Sequence, residues 1–119
     1  MRKKRGRGKY KRFGSFRNGR NYEDPAYASF RKAVRKRDGN KCLFPGCGSK
    51  SRLEIHHIKK WSSHPSMRYD TCNGITLCKE CHKRTQGNEE VYEQLFFKIL
   101  EWEALRRLKK KLDGKIRTN

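Results

Sequence analysis

Residues 53–82 read LEIHHIKKWSSHPSMRYDTCNGITLCKECH. Two adjacent histidines, His56 and His57, stand near one end of this stretch, and Cys78-x-x-Cys81-His82 closes the other. Asn73-Gly74, a turn signal, lies between them. Upstream, Cys42 and Cys47 form a second, wider pair. Two short cysteine pairs close a tetrahedral thiolate site, which is how structural zinc is usually held. The spacing is not that of a standard zinc finger, because the first pair is C-x4-C and a long segment separates the pairs. Four thiols satisfy a structural metal unaided, so the histidines suggest a second site.

The composition narrows the partners. The chain has 119 residues, a net charge of +20 and only 33% hydrophobic residues. One small domain is the natural expectation, and a core this modest often needs a metal or a disulfide as a staple. A charge of +20 far exceeds what solubility requires and argues for a polyanion, with nucleic acid ahead of an anionic membrane surface. No apolar run approaches the roughly 18 residues of a membrane span. No apolar segment follows the basic start MRKKRGRGKYKR, so a signal peptide is not expected and an intracellular setting is. Five cysteines, four of them in two pairs, favour metal over disulfides there.

Residues 1–20 hold ten Lys/Arg, four Gly and no acid. This segment buries too little to order itself alone and reads as a disordered basic arm. Arg2, Lys3, Lys4, Arg5, Arg7, Lys9, Lys11 and Arg12 share this segment with Tyr10, Phe13 and Phe16, and the interleaving of charge with aromatic rings suits backbone contact and base stacking on nucleic acid. A solvated arm with a general electrostatic role reads the same residues equally well. The main domain is expected over 21–113, with a short tail at 114–119.

Within that domain, residues 24–38 read as a helix. Asp24 can cap it, Pro25 suits its first position, Tyr27, Phe30 and Val34 recur at core-facing spacing, and Gly39 stops it. Residues 40–50 form a tight knuckle, 52–58 a strand, 59–72 a loop and ITLC a second strand. A helix is expected from Cys81, interrupted near Gly87, and a stronger one from Asn88 to about Lys111. Val91, Leu95, Ile99, Trp102 and Leu105 mark one face of it, widened by Phe96, Leu100 and Leu108, and core packing is the expected use of that face. Cys72 lies beside the turn, belongs to neither pair and reads as a small half-buried side chain. His64 reads as a loop residue.

Folding the hairpin brings His56, His57 and His82 together beside the cysteines, and three converging histidines in a basic groove point to a metal site. At these residues the chain resembles the HNH nuclease family, with its ββα-metal fold. The resemblance covers about residues 22–90 and rests on RKRDGNKC, LEIHHI, NGITLC and KECH, with steps of sixteen residues from His57 to Asn73 and nine more to His82. It implies an α+β chain: a ββα-metal hairpin–helix core, a structural zinc knuckle (Cys42, Cys47, Cys78, Cys81) and flanking helices. By position, it implies that His56 and His82 hold a catalytic divalent ion such as Mg²⁺. It implies that His57 is the general base and that Asn73 braces the hairpin and orients it. Small forms with a zinc knuckle are common in bacteriophages, so a free-standing homing endonuclease or a packaging-associated nickase is implied, acting in a host cytoplasm.

The chemistry is coherent from the residues upward. Phosphodiester hydrolysis must deprotonate water, stabilise charge on phosphorus-bound oxygens and release the 3′ oxygen. Imidazole, with an ordinary pKa of about 6.5, accepts the water's proton at neutral pH. A divalent ion stabilises the developing charge. Lys59, Lys60, Lys83 and Arg84 flank the site and can hold phosphates, though ordinary solvated charge reads them as well. The expected partner is DNA, with RNA not excluded, and the chain is a monomer or a homodimer. A zinc-stabilised DNA- or RNA-binding module without catalysis explains the charge and the cysteines but leaves His56, His57, Asn73 and His82 unused. Neighbouring strand residues face opposite sides, so His56 and His57 share a site only if the strand ends there.

Overall fold

The computed structural model describes residues 16–17 and 20–117, with side chains described for 22–115. Most of the basic arm therefore lies outside the described residues. Two short strands, β1 (Phe16–Arg17) and β2 (Arg20–Asn21), pair antiparallel ahead of helix α1 (Pro25–Arg37). Strands β3 (Leu53–His57) and β4 (Gly74–Cys78) form the central hairpin, followed by α2 (Lys79–Thr85) and α3 (Glu89–Arg117). This is the expected ββα arrangement within an α+β chain.

α1 starts and stops as its residues dictate. The Asp24 carboxylate accepts from the Ala26 N–H at 2.9 Å, Pro25 occupies the first turn, and Gly39 follows with φ +74°. Tyr27, Phe30 and Val34 are buried against Ile55 and Trp61, one of two hydrophobic clusters among the described residues. Asp38, at the helix C-terminus, is buried and receives the Arg37 guanidinium at 2.7 Å and the Thr76 N–H at 2.9 Å. Arg37 also donates to the carbonyls of Thr71 and Gly74, at 2.6 and 2.7 Å. The pair thus ties α1 to the start of β4. A charge pair with one fully buried partner survives only when its remaining lone pairs are satisfied, and these are.

β3 and β4 run antiparallel with Leu53 opposite Cys78 and His57 opposite Gly74. The loop between them is long, and the Asn-Gly pair is not its turn. Asn73 ends a short 3-10 segment, Thr71–Asn73, initiated by Asp70, whose carboxylate accepts from the Cys72 N–H at 2.9 Å. Gly74 is extended, with φ −115° and ψ 145°. What requires glycine there is space: a Cβ would stand 2.9 Å from Phe30 Cζ and 3.0 Å from Val34 Cγ2. α1 lies directly on this glycine. Cys72 on the same turn is exposed, not half-buried, because the turn sits at the surface.

The second cluster lies on the other side of the hairpin and joins Cys42, Ile58, Ile75, Leu77, Cys78 and Cys81 to Phe96 and Ile99 of α3. α2 begins two residues earlier than expected, at Lys79, with Cys78 as its N-cap and Cys78 Sγ accepting from the Cys81 N–H at 3.5 Å. Gly87 breaks the chain with φ +84°. α3 then runs 29 residues, about 43 Å at 1.5 Å per residue, past the expected end near Lys111 and through Gly114. Its expected core face divides. Phe96 and Ile99 are buried and Leu95 and Leu100 half-buried, but Val91, Trp102, Leu105 and Leu108 are exposed. The reason is size: the ββα unit covers little of α3 beyond Leu100, and the rest of the helix has nothing under it. No described helix is long and apolar enough to cross a membrane.

Gly74→Ala is expected to cost about 1–3 kcal/mol, the usual range for overpacking a filled core. Gly114→Ala, in a helix with open space around it, is expected to be neutral or to stabilise by up to about 1 kcal/mol. Urea unfolding of the two variants checks both; a harmless Gly74→Ala would remove the close approach of α1 as the reason for that glycine.

Candidate active site and metal cluster

Four thiols converge where the knuckle meets the end of β4. The Sγ atoms of Cys42, Cys47, Cys78 and Cys81 all lie within 4.8 Å of one another, with Cys47 and Cys78 at 3.8 Å. Thiolates around one tetrahedral ion, each about 2.3 Å from it, stand about 3.8 Å apart, so the cluster has the dimensions of a metal site. Burial pushes the Cys42 and Cys81 thiols up, so they stay protonated without a cation to compensate their charge. Exposed Cys47 moves the other way, lowered first by the Ser49 backbone N–H. The backbone assists the geometry: Cys42 N–H donates to the Ser49 carbonyl and Cys47 N–H to that of Phe44, closing the knuckle on itself.

The histidines lie one step further along. His82 follows Cys81 on α2, and its Nδ1 is 2.6 Å from Glu54 Oε1. His56, two residues after Glu54 on β3, turns to the same side. Its ring centre is 5.3 Å from that of His82 and 5.3 Å from that of Phe96. Two imidazoles sharing one ion at about 2.1 Å per nitrogen have ring centres roughly 5 Å apart, so this pair suits a shared cation. Because a carboxylate only accepts, Nδ1 of His82 carries the proton in this contact, and Nε2 is the nitrogen left basic in the neutral ring.

His57 turns to the opposite side of β3, as strand alternation requires. It is buried, stacked on Phe30 at 5.2 Å and edge-on to Trp61 at 5.2 Å. Its Nε2 donates to the Arg68 carbonyl at 2.9 Å, which makes Nδ1 the basic nitrogen of the neutral ring. β3 ends at His57, and a cavity of about 280 Å³ wraps that end. It is lined by His56, His57 and His82 together, with Lys60, Trp61 and Glu89 among its walls. The strand end thus resolves the alternation problem: the two adjacent histidines reach one cavity from opposite faces.

Asn73 does not line this cavity. It is buried, and its side chain is fully engaged with the loop. Oδ1 accepts from the Lys59 N–H at 2.7 Å, and Nδ2 donates to the Lys59 and Met67 carbonyls, each at 3.2 Å. It therefore pins the loop at two points, the second one residue before the Arg68 carbonyl that His57 contacts. Of the flanking cations, Lys60 is on the cavity wall. Lys59 ion-pairs with Glu93 of α3, and Arg84 lies over the Phe44 ring at 5.5 Å on the knuckle side. Lys83 is exposed on α2, and His64 is not part of the wall. Sequence reasoning missed Glu54, Glu89 and the Arg68 carbonyl. Glu54 alone left a signal, since its place two residues before His56 puts it on the same strand face. Burial works to raise the Glu89 carboxyl, but the backbone N–H groups of Glu89 and Gly87, then Lys60, outweigh it and hold it below the usual glutamate range.

A hairpin and helix bearing paired imidazoles beside a four-thiol cluster define the chain as a ββα-metal type. Residues 41–87 match the family model described as HNH endonuclease, so this stretch of the chain is similar to the HNH family. Neither a curated protein nor a solved structure matches it.

Cys78→Ser is expected to abolish metal binding and cooperative unfolding together. Structural zinc in small sites contributes about 10 kcal/mol or more, comparable to a whole domain's stability. Elemental analysis and a thermal melt check this; an unchanged melt with one tightly bound ion per chain would remove Cys78 from the cluster.

Proposed function

We propose that the protein is a metal-dependent endonuclease that hydrolyses phosphodiester bonds in DNA, with zinc in the thiol cluster and a second divalent ion, such as Mg²⁺, on His56 and His82. The observation that carries this is the convergence of three imidazoles on one cavity, two of them spaced for a shared ion. The third, His57, has its proton assigned to Nε2 by a backbone carbonyl. A nucleic-acid-binding module held by its zinc alone has no use for that arrangement.

In this reading His57 is the general base, and its Nδ1, shut off from solvent in the free protein, takes the proton of the attacking water when substrate occupies the cavity. The Arg68 carbonyl and the packing of Phe30 and Trp61 hold the ring still, so little entropy is lost on reaching the transition state. Asn73 is a positioning residue: it fixes the loop that presents the Arg68 carbonyl. Glu54 acts in the same manner on His82, holding the ring by its Nδ1–H. Lys60 on the cavity wall suits a phosphate oxygen. The divalent ion supplies Lewis-acid stabilisation of the charge that develops on the phosphate and leaving oxygens. Product ends of 5′-phosphate and 3′-hydroxyl, and a homing or packaging role in a phage, follow from the family resemblance; a cleavage map on the encoding genome decides the role.

Supercoiled plasmid should be cut with Mg²⁺ or Mn²⁺ and spared when EDTA removes the ion. His57→Ala removes packing as well as a base, so His57→Gln is the cleaner variant. It should lose about 10²- to 10⁴-fold in single-turnover rate, the usual contribution of a general base, with metal content and melting little changed. Wild-type rates in that variant would take His57 out of the role, and cleavage of RNA alone would replace the substrate. Glu54→Ala should weaken Mn²⁺ binding about 10- to 100-fold by titration calorimetry, the usual cost of losing a carboxylate that orients a metal-binding histidine. Unchanged affinity would leave Glu54 as a surface ion pair only.

A further inference from the structure

Among the described residues, six large apolar side chains stand exposed, and five of them are on α3: Val91 at 73%, Trp102 at 61%, Leu105 at 57%, Leu108 at 53% and Leu112 at 51%. Val91, Trp102, Leu105 and Leu112 fall eleven, three and seven residues apart, the steps of a coiled-coil seam. Lys98 and Lys109 take seam positions between them, and polar residues at such positions set register at a cost in stability. A helix end that bore only charge would need no cover. This one carries a tryptophan and three leucines beyond the last residue the domain packs against.

The charge along α3 is divided. Residues 89–102 hold four acids and one base, whereas 103–115 hold six bases and two acids. A parallel pair of such helices sets basic half against basic half. An antiparallel pair sets each basic half on the other's acidic half, so the surface is complementary to itself, which is what a two-fold interface requires. The apolar seam is compatible with the same arrangement. Centred between residues 102 and 105, an antiparallel pair brings Trp102 of each copy to Leu105 of the other and Leu112 of each towards Leu95 of the other.

We propose that this face of α3 binds a second copy of the chain, in an antiparallel helix pair that makes the protein a homodimer. The seam lies on a side of α3 turned about a third of a turn from Phe96 and Ile99, and half-buried Leu95 stands at its edge, shared with the core cluster. Where the endonuclease reading holds, the dimer carries two cavities and can cut both strands of a duplex; this consequence rests on that reading, and the dimer itself does not.

The test is mass without cleavage. Sedimentation equilibrium of the full chain, free of DNA and over a range up to about 100 μM, is run in 0.3 M salt, where the Debye length of about 6 Å screens the repulsion between two chains of charge +20. The expected result is a reversible monomer–dimer equilibrium that Trp102→Glu/Leu105→Glu abolishes, with helix content and bound metal unchanged. Leu112→Glu, further from the folded core, should weaken it at least tenfold. A spin label placed at Lys115 as an unnatural amino acid should report a separation of about 35 Å, from 1.5 Å per residue on either side of the dyad. A monomer at every concentration overturns the proposal, as does a dimer indifferent to both variants. Labels within about 20 Å overturn the antiparallel order. Because no readout involves cutting, a failed dimer and a failed nuclease are told apart.

Discussion

The four-thiol cluster is the constraint on which the rest depends. Cys42 and Cys47 come from the knuckle, Cys78 from the last position of β4 and Cys81 from the first turn of α2. Joining them fixes where the strand stops, where the helix starts and how the two meet. His82 is the next residue on that helix, so its place beside His56 is set by the cluster as much as by its own packing. A chain with so small a hydrophobic fraction does not have enough core to fix such a junction by burial alone. The metal-binding geometry and the imidazole pair are therefore one piece of architecture, with the cluster as its foundation.

The hairpin is positioned from the other side by α1. Three devices act together there: the absent side chain of Gly74, the Arg37–Asp38 pair that reaches the Thr71 and Gly74 carbonyls and the Thr76 N–H, and the aromatic stack that receives His57. They make the general-base candidate a buried side chain, which is unusual for a residue that must meet water. β3 ends at the cavity that His57 lines, although its Nδ1 is itself shut off from solvent.

Much of this was legible in residue order. Asp24-Pro25, the spacing of Tyr27, Phe30 and Val34, and the two cysteine pairs each carry a local signal that matches the element or grouping in the structure. What escaped reading depends on distance through space. Asn73-Gly74 has the composition of a turn, and only the proximity of Phe30 and Val34 reveals that the glycine makes room for a helix. Glu54 is an ordinary strand residue until His82 folds against it. The end of α3 has core-like periodicity, and periodicity says that a face is apolar without saying what covers it. The arm at residues 1–20 lies largely outside the described residues, so its reading stands on charge alone.

One feature of the metal cluster also governs which parts of this sequence can change length. Each residue of an α-helix turns the next side chain by about 100°. A single insertion between Cys81 and His82 would therefore swing the imidazole away from His56 while leaving all four thiols in place. The middle of the loop, from Ser62 to Ser66, lies between the Lys59 groups and the Met67 and Arg68 carbonyls that hold Asn73 and His57, and is under no such angular constraint: a loop absorbs an extra residue by bulging, at little entropic cost. Length variation among variants of this protein should accumulate there and stop abruptly at Cys78, where the spacing to His82 is set by helical geometry.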